Sequence, residues 1–342
     1  GRLWSFRRAN WKLFSVPPIM AEGKAVPAFP AERDLLMKLT RSSKDNIAGW
    51  IFIAPCVLGL GFFTAFPIIL SFIYSLTDYQ ILQFNAPLVW NNFANYINIF
   101  HDEKFLDSFR LTFLFAFVSV FISLVLSFVL ALLLNTKLKG IKAFRVLIYT
   151  PCIIPAVASA AIWKDLFNAT NAGLINRMFA VFGLGPFTWF SSVDTALGTM
   201  VLLSLWGLGG NMLMWIAGFN SVSPVYYEAA ELDGANALTK MFRITIPLVS
   251  PVIFYNLIVG IIGAFQSFGS AYLLTDGGPL DSTNFLALHI YRIGITKGNM
   301  GYASSMAWIM FLVIMALTAL AFLSSGWVYY GDEDKKRRKI KT

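Results

Sequence analysis

The sequence predicts an all-α membrane protein with six transmembrane helices. Composition, the gaps between charges and the placement of basic residues all point to this class. Of 342 residues, 57% are hydrophobic and 13% charged, against roughly 45–50% and about 25% in soluble globular chains. Six stretches free of Asp, Glu, Lys and Arg, each 18 to 34 residues long, together hold 175 residues, about half of the chain. These runs are continuously apolar rather than short and alternating. That selects helices over a barrel, because a chain in lipid must satisfy its own backbone hydrogen bonds.

The elements follow in chain order. Residues 1–45 form a basic arm with nine basic and four acidic side chains. Trp4, Phe6, Trp11 and Phe14 alternate there with Arg2, Arg7, Arg8 and Lys12, a pattern that suits a helix lying at a membrane surface. Pro17, Pro18, Pro27 and Pro30 separate this segment from a short helix expected around Ala31–Arg41, and no secretory signal pattern precedes the first span. A membrane span needs about 20 apolar residues, since roughly 30 Å of hydrocarbon is crossed at about 1.5 Å per residue. Asn46–Thr77 meets this and predicts a span over residues 48–77. Tyr79–Phe100 also lacks charge but contains five Asn and two Gln, too many amides for lipid, so it is a loop ending in an amphipathic segment.

Leu111–Thr136 gives the second span, 110–135, and Val146–Trp163 a marginal third, 146–167, with Arg145 and Lys164 snorkelling at its ends. Met178–Val193 is interrupted by Gly183, Gly185 and Pro186, which makes it a surface-lying or re-entrant piece. Thr195–Tyr227, Ile244–Thr275 and Gly298–Gly331 give spans 196–221, 247–274 and 302–328. The division is thus an arm (1–45), a six-span domain (46–331) and a basic tail (332–342).

Six spans put both termini on one side, which carries 21 basic residues against six on the other. The excess assigns the termini to the cytoplasm. The net charge of +9 divides into +5 on residues 1–45, +3 on 332–342 and +1 elsewhere. Such tails are orientation and anionic-lipid signals, so membrane lipid is the expected partner and nucleic acid is not. Two Cys and two His exclude a disulfide scaffold and leave no metal site. Cys56 and Cys152 lie in apolar stretches as small core residues, and His101 and His289 fall outside the spans without companion ligands. No Gly-x-x-x-x-Gly-Lys-Ser/Thr loop is present, so no nucleotide is expected on this chain. A secondary transporter or channel not driven by ATP is the competing class. It calls for intramembrane charges or an inverted repeat, and the sequence shows neither.

The most structured loop joins spans 4 and 5, residues 223–247. Ser223 is placed as an N-cap and Pro224 as the first helical residue. Glu228 to Leu232 are strong helix formers, and Gly234 can end the helix in a left-handed conformation or admit a neighbouring backbone. A second amphipathic stretch, Asn236–Ile244, leads to Pro247. Tyr226 and Tyr227 as anchors, a small face at Ala229 and Ala230, and acids at Glu228, Glu231 and Asp233 make a docking element for a soluble partner.

Glu228-Ala229-Ala230, Gly234, Ile244 and Pro247 resemble, in register, the EAA loop of permease subunits of ATP-binding-cassette importers. Ile246 stands where that pattern has Leu. Arg145–Pro155, Leu274–Pro279 and Met300–Ser305 are similar to stretches of carbohydrate permeases of the maltose and glycerol-phosphate type, so the resemblance spans Asn46 to about Gly331 and leaves the arm unexplained. It implies a type I importer permease fold with a cytoplasmic coupling helix, in a bacterial cell membrane. It also implies a non-catalytic subunit that pairs with a second, homologous permease. Two copies of a cytoplasmic ATPase, holding ATP and magnesium, would power it, and an extracytoplasmic binding protein would deliver a sugar or oligosaccharide. Glu228, Ala229, Ala230, Asp233, Gly234, Ile244 and Pro247 would then form the ATPase-coupling set.

Polar and aromatic residues deep in spans 4 and 5 are the candidates for a substrate pathway: Trp206, Asn211, Gln266, Ser267, Phe268 and Tyr272, with Trp215, Asn256 and Ser270 beside them. Stacking rings with amides and hydroxyls suit a neutral sugar, and no Lys or Arg inside a span offers an anionic site within the membrane. Gln266, Ser267 and Phe268 lead, on the strength of the resemblance.

Overall fold

The computed structural model describes residues 31–83, 87–136 and 138–329, with side chains from residue 46 onward. The interfacial helix expected within 1–30 and the tail 332–342 lie outside the described residues. The chain divides into two units, residues 1–67 and 68–342.

In the first unit, helix α1 runs over Ala31–Leu60 and passes into a π-helical turn at Gly61–Ala65. The short helix expected around Ala31–Arg41 is therefore the start of a longer one. No Gly or Pro interrupts the chain between Ala31 and Ala48, so nothing stops propagation, and Pro55 is accommodated inside the helix. Helix continues through α2 (Phe66–Ser75), and Asn46–Ser75 is long and apolar enough to cross a membrane.

The second unit follows with α3 (Ala94–Ile99), α4 (Glu103–Leu134), α5 (Ile141–Tyr149), α6 (Ala156–Leu166), α7 (Leu174–Ala180), α8 (Val193–Ser204) and α9 (Leu208–Ser221). Then come α10 (Pro224–Leu232), α11 (Ala237–Lys240), α12 (Ile246–Leu248), α13 (Ser250–Phe265), α14 (Gly269–Leu274), α15 (Leu286–Tyr291) and α16 (Met300–Leu323). Among the described residues four helical stretches could each cross a membrane, and six could if each of two bent pairs is one span.

The bent pairs depart from the straight spans expected. Ile141–Ile153 and Ala156–Leu166 meet at 101°. Pro155 excludes the α conformation from Ile154, whose ψ is 129°. Ala237–Leu248 and Ser250–Phe265 meet at 63°, where Pro251 lacks the N–H that would continue the ladder. Span 5 also ends at Phe265 rather than 274, since Gln266–Phe268 leave the helix before α14 begins.

Around α4 pack α9 and α13. Lipid tails are as apolar as leucine, so close approach and interhelical hydrogen bonds replace the hydrophobic effect as the glue. Asn211 Nδ2 donates to Ser123 Oγ at 3.2 Å, and Trp215 Nε1 donates to Ser127 Oγ at 3.0 Å, with Trp215 only 2% exposed. Ser119, Ser123 and Ser127 thus repeat every fourth residue along one stripe of α4. Gly209 lets α9 touch the chain at Ile148 and Tyr149: an added Cβ would lie 2.8 Å from Tyr149 Cα and closer still to the Ile148 carbonyl. At the end where α4 begins, Asp102 caps it by accepting from the N–H groups of Lys104 and Phe105. There Ile99, Phe105, Leu286, Ile293, Ala303 and Met306 form a buried cluster. Thr112 Oγ1 accepts from Leu286 N at 2.7 Å, tying α15 to α4.

Candidate functional site

Helix α10 protrudes where α9 ends. Ser223 occupies the N-cap with extended backbone, but its hydroxyl makes no capping bond, contrary to the expected cap. Proline at the first position already removes one orphan N–H. The other end closes as a Schellman turn: Ala235 N donates to Ala230 O at 2.9 Å and Gly234 N to Glu231 O at 3.0 Å. Gly234 has φ +76°, the left-handed conformation that glycine adopts without strain. No atom approaches its missing side chain, so within this chain the turn alone requires the glycine.

The return segment is built on Asn236, whose Oδ1 accepts from Thr239 N at 2.8 Å and starts α11. A π turn, Met241–Thr245, carries half-buried Ile244, and α12 carries exposed Pro247. Two contacts join the arms of this helical hairpin. Tyr227 and Thr245 hydroxyls lie 3.0 Å apart, and Lys240 Nζ donates to Glu231 Oε1 at 2.7 Å. The hydrogen bond and charge of Lys240 hold the Glu231 carboxyl below its ordinary range.

The three acids therefore differ. Glu231 is used inside the hairpin, whereas Glu228 and Asp233 are exposed and make no ion pair among the described residues. Ala229 is exposed and Ala230 half-buried. Around Glu228 stand Val225, Tyr226 and Leu232, the last 90% exposed. Helix α10 thus exposes an unpaired carboxylate together with large apolar side chains.

Between α4, α8, α9 and α13 lies a cleft of about 270 Å³. Ser119, Ser123, Ser204, Asn211, Asn256 and Ser267 give it a polar lining. Ser267 Oγ lies 3.3 Å from Ser270 Oγ, and Ser270 lines a second depression of about 160 Å³ with Ser159, Trp163, Trp206 and Leu274. Trp206 meets Trp163 edge to face at 4.8 Å, and Trp163 stacks on Phe167 at 5.1 Å. Leu274 is shared with a third depression of about 500 Å³, which Phe167 also lines. The three form a track running away from the α10 end, polar at the cleft and aromatic beyond.

The predicted pathway residues divide along this track. Asn211, Asn256 and Ser267 line the cleft, and Trp206 and Ser270 the second depression. Gln266 is exposed and lines none of the three depressions. Phe268 and Tyr272 form a separate aromatic group with Tyr291, at 5.0 to 5.5 Å. Trp215 is buried against Ser127 as a packing residue. Sequence reasoning missed the α4 wall. Its signal was legible as serines at four-residue spacing in an otherwise apolar helix. No group of three or more potential metal ligands occurs among the described residues.

Residues 103–335 match the family model described as binding-protein-dependent transport system inner membrane component. The chain belongs to this family. This inner-membrane component is 37% identical over 306 residues to the probable ABC transporter permease protein YesP of Bacillus subtilis (strain 168), covering 87% of this chain and 97% of that protein. It is 29% identical to the arabinooligosaccharides transport system permease protein AraP of the same strain, over 82% of this chain and 88% of that protein. With the lactose transport system permease protein LacF of Rhizobium radiobacter it shares 28% identity, over 82% and 94%. Its fold matches a chain of a crystallised bacterial alginate ABC transporter in complex with its alginate pentasaccharide-bound periplasmic protein. The TM-score is 0.74 at 19% identity, over 84% of this chain and 97% of that one. The component is thus a helical membrane permease of a binding-protein-dependent transport system, not a secondary transporter or channel.

Proposed function

We propose that this permease is one of two related subunits lining an import pathway for a sugar or oligosaccharide. An extracytoplasmic binding protein delivers the substrate, and two cytoplasmic ATPase subunits, holding ATP and magnesium, power its passage. Both termini and α10 lie in the cytoplasm, consistent with the basic excess on that side. The observation that carries the reading is α10 itself: a capped, exposed helix held by its own hairpin, with Glu228 unpaired and Leu232 uncovered. Seated in an ATPase cleft, such a rigid body transmits motion into α9 and α13. Glu228 meets a basic group there, Gly234 permits the turn, and this chain itself performs no catalysis. The track of depressions carries the substrate, with Asn211 and Ser267 offering hydrogen bonds and Trp163 and Trp206 offering ring faces. Relatives named for arabinooligosaccharides and lactose support a carbohydrate cargo.

The test is uptake by cells carrying the whole transporter. Glu228→Lys should abolish uptake while the binding protein still captures substrate and the chain still reaches the membrane. Wild-type uptake in that variant would sink the coupling role.

A further inference from the structure

Away from its serine stripe, α4 borders a groove of about 280 Å³ shared with α13 and α16. No polar side chain lines it. Ala116, Val120 and Phe265 are buried at its floor, whereas Phe117 and Phe121 are exposed along its rim. Phe113 meets Phe265 edge to face at 6.2 Å and closes one end.

Arg110, Phe113, Phe117, Phe121 and Leu124 follow one another at spacings of three and four, so they share one face of α4. From Phe113 to Leu124 this face covers about 16 Å at about 1.5 Å per residue, the depth of one leaflet in a hydrocarbon core roughly 30 Å thick. About 20 residues cross that core, and counted back from Leu134 they reach Phe115. Arg110 therefore stands just outside the hydrocarbon, at the headgroup level, with the apolar groove directly below it. Among the described residues its guanidinium meets only Asp107, at 4.0 Å, and the two side chains are 79% and 78% exposed. Most of its donors remain available, and a guanidinium fork suits a phosphate.

The lining also says what kind of body fits. Helices packed in lipid approach through small residues and polar side chains, as α4 and α9 do through Ser123, Ser127, Asn211 and Trp215. The groove offers Ala116 alone among bulky side chains and nothing to hydrogen-bond. A flexible hydrocarbon chain can fill such a space; a second helix cannot interdigitate with it.

We propose that this groove is a binding site for an anionic phospholipid of the leaflet remote from α10, with one acyl chain along Phe117 and Phe121 and the phosphate on Arg110. The site is independent of the transported cargo and of coupling through α10.

The test is fluorescence quenching by brominated lipids. The full chain, with Cys56→Ser and Cys152→Ser, carries a bimane label at Phe121→Cys on the groove rim and is reconstituted in phosphatidylcholine vesicles. Phosphatidylglycerol with brominated acyl chains should quench at about fivefold lower mole fraction than brominated phosphatidylcholine, the scale of one basic residue at an anionic surface. Arg110→Gln should remove that preference without changing quenching by phosphatidylcholine. Asp107→Asn, which frees the guanidinium of its competing carboxylate, should enlarge it. Equal quenching by the two lipids, or a preference that survives Arg110→Gln, would overturn the proposal. So would a label that neither lipid reaches once the transporter is assembled, because a neighbouring helix would then occupy the groove.

Discussion

Gly234 and Gly209 are small for different reasons, and their substitutions should fail differently. At Gly234 the φ of +76° is the constraint, so Gly234→Ala should cost about 1–2 kcal/mol locally. The chain should fold and insert, but ATP hydrolysis should run with less uptake per nucleotide, measured in proteoliposomes. At Gly209 the constraint is space beside Ile148 and Tyr149. Gly209→Val should overpack the contact at about 1–3 kcal/mol and lower the melting temperature in detergent. A melting curve matching the wild type would remove the close-approach argument. The Glu231 carboxyl, held low by Lys240, keeps the hairpin bond above the ordinary carboxylate range and loses it as pH falls through the lowered value. Carbon-13 NMR of the Glu231 side chain should therefore titrate below free glutamate, and Lys240→Met should return it to the usual value.

Helix α15, which caps the end of the unit where α4 begins, has its own pH response. His289 on α15 is 4% exposed, accepts at Nδ1 from Asn284 Nδ2 at 3.4 Å, and has no partner for Nε2. Burial, the largest influence, pushes its pKa down, with Lys297 and Arg292 acting in the same direction and Asp102 and Asp281 opposing. The folded cap holds the ring neutral. Its stability is full above the unfolded value of about 6.5 and declines as pH falls below it. Melting temperature should drop on acidification from pH 7 to 5, and His289→Gln should flatten the slope. An equal slope in that variant would show that another group titrates. Legibility also varied by element. The charge gaps located the long helices because a charge in lipid is costly wherever it falls. They could not reveal the bends at Ile154 and Val249, since proline in an apolar run reads the same whether neighbouring helices absorb it or the chain turns. Helix α10 was readable from Pro224 and Gly234, which punctuate locally. The use of Glu231 rather than Glu228 inside the hairpin depends on Lys240, nine residues away, and spacing alone did not decide it.

For the whole molecule, the cleft requires three chain segments far apart in sequence. Ser123 and Asn211 are 88 residues apart, and periodicity within one helix carries no information on which helix it meets. That is why Asn211 and Ser267 were legible as polar intrusions while the serines opposite them went unread, and why the turn that leaves Gln266 exposed at the end of α13 was not legible. Asn211→Ala with Ser267→Ala should lower transport rate or alter selectivity in reconstituted transporter, and Gln266→Ala should do neither. An effect of Gln266 equal to that of the pair would mean that the pathway runs elsewhere.

The serine stripe on α4 bears on how two halves of such a cleft can move. Asn211 and Trp215 are spaced like the serines they meet, and α4 and α9 run in the same direction. Sliding one helix along the other by a single turn, about 5.4 Å, would bring Asn211 to Ser119 and Trp215 to Ser123, restoring both bonds. A half-turn would leave both donors facing apolar neighbours. The spacing thus repeats the same donors and acceptors one pitch away, so the hydrogen bonds alone would not distinguish the two registers.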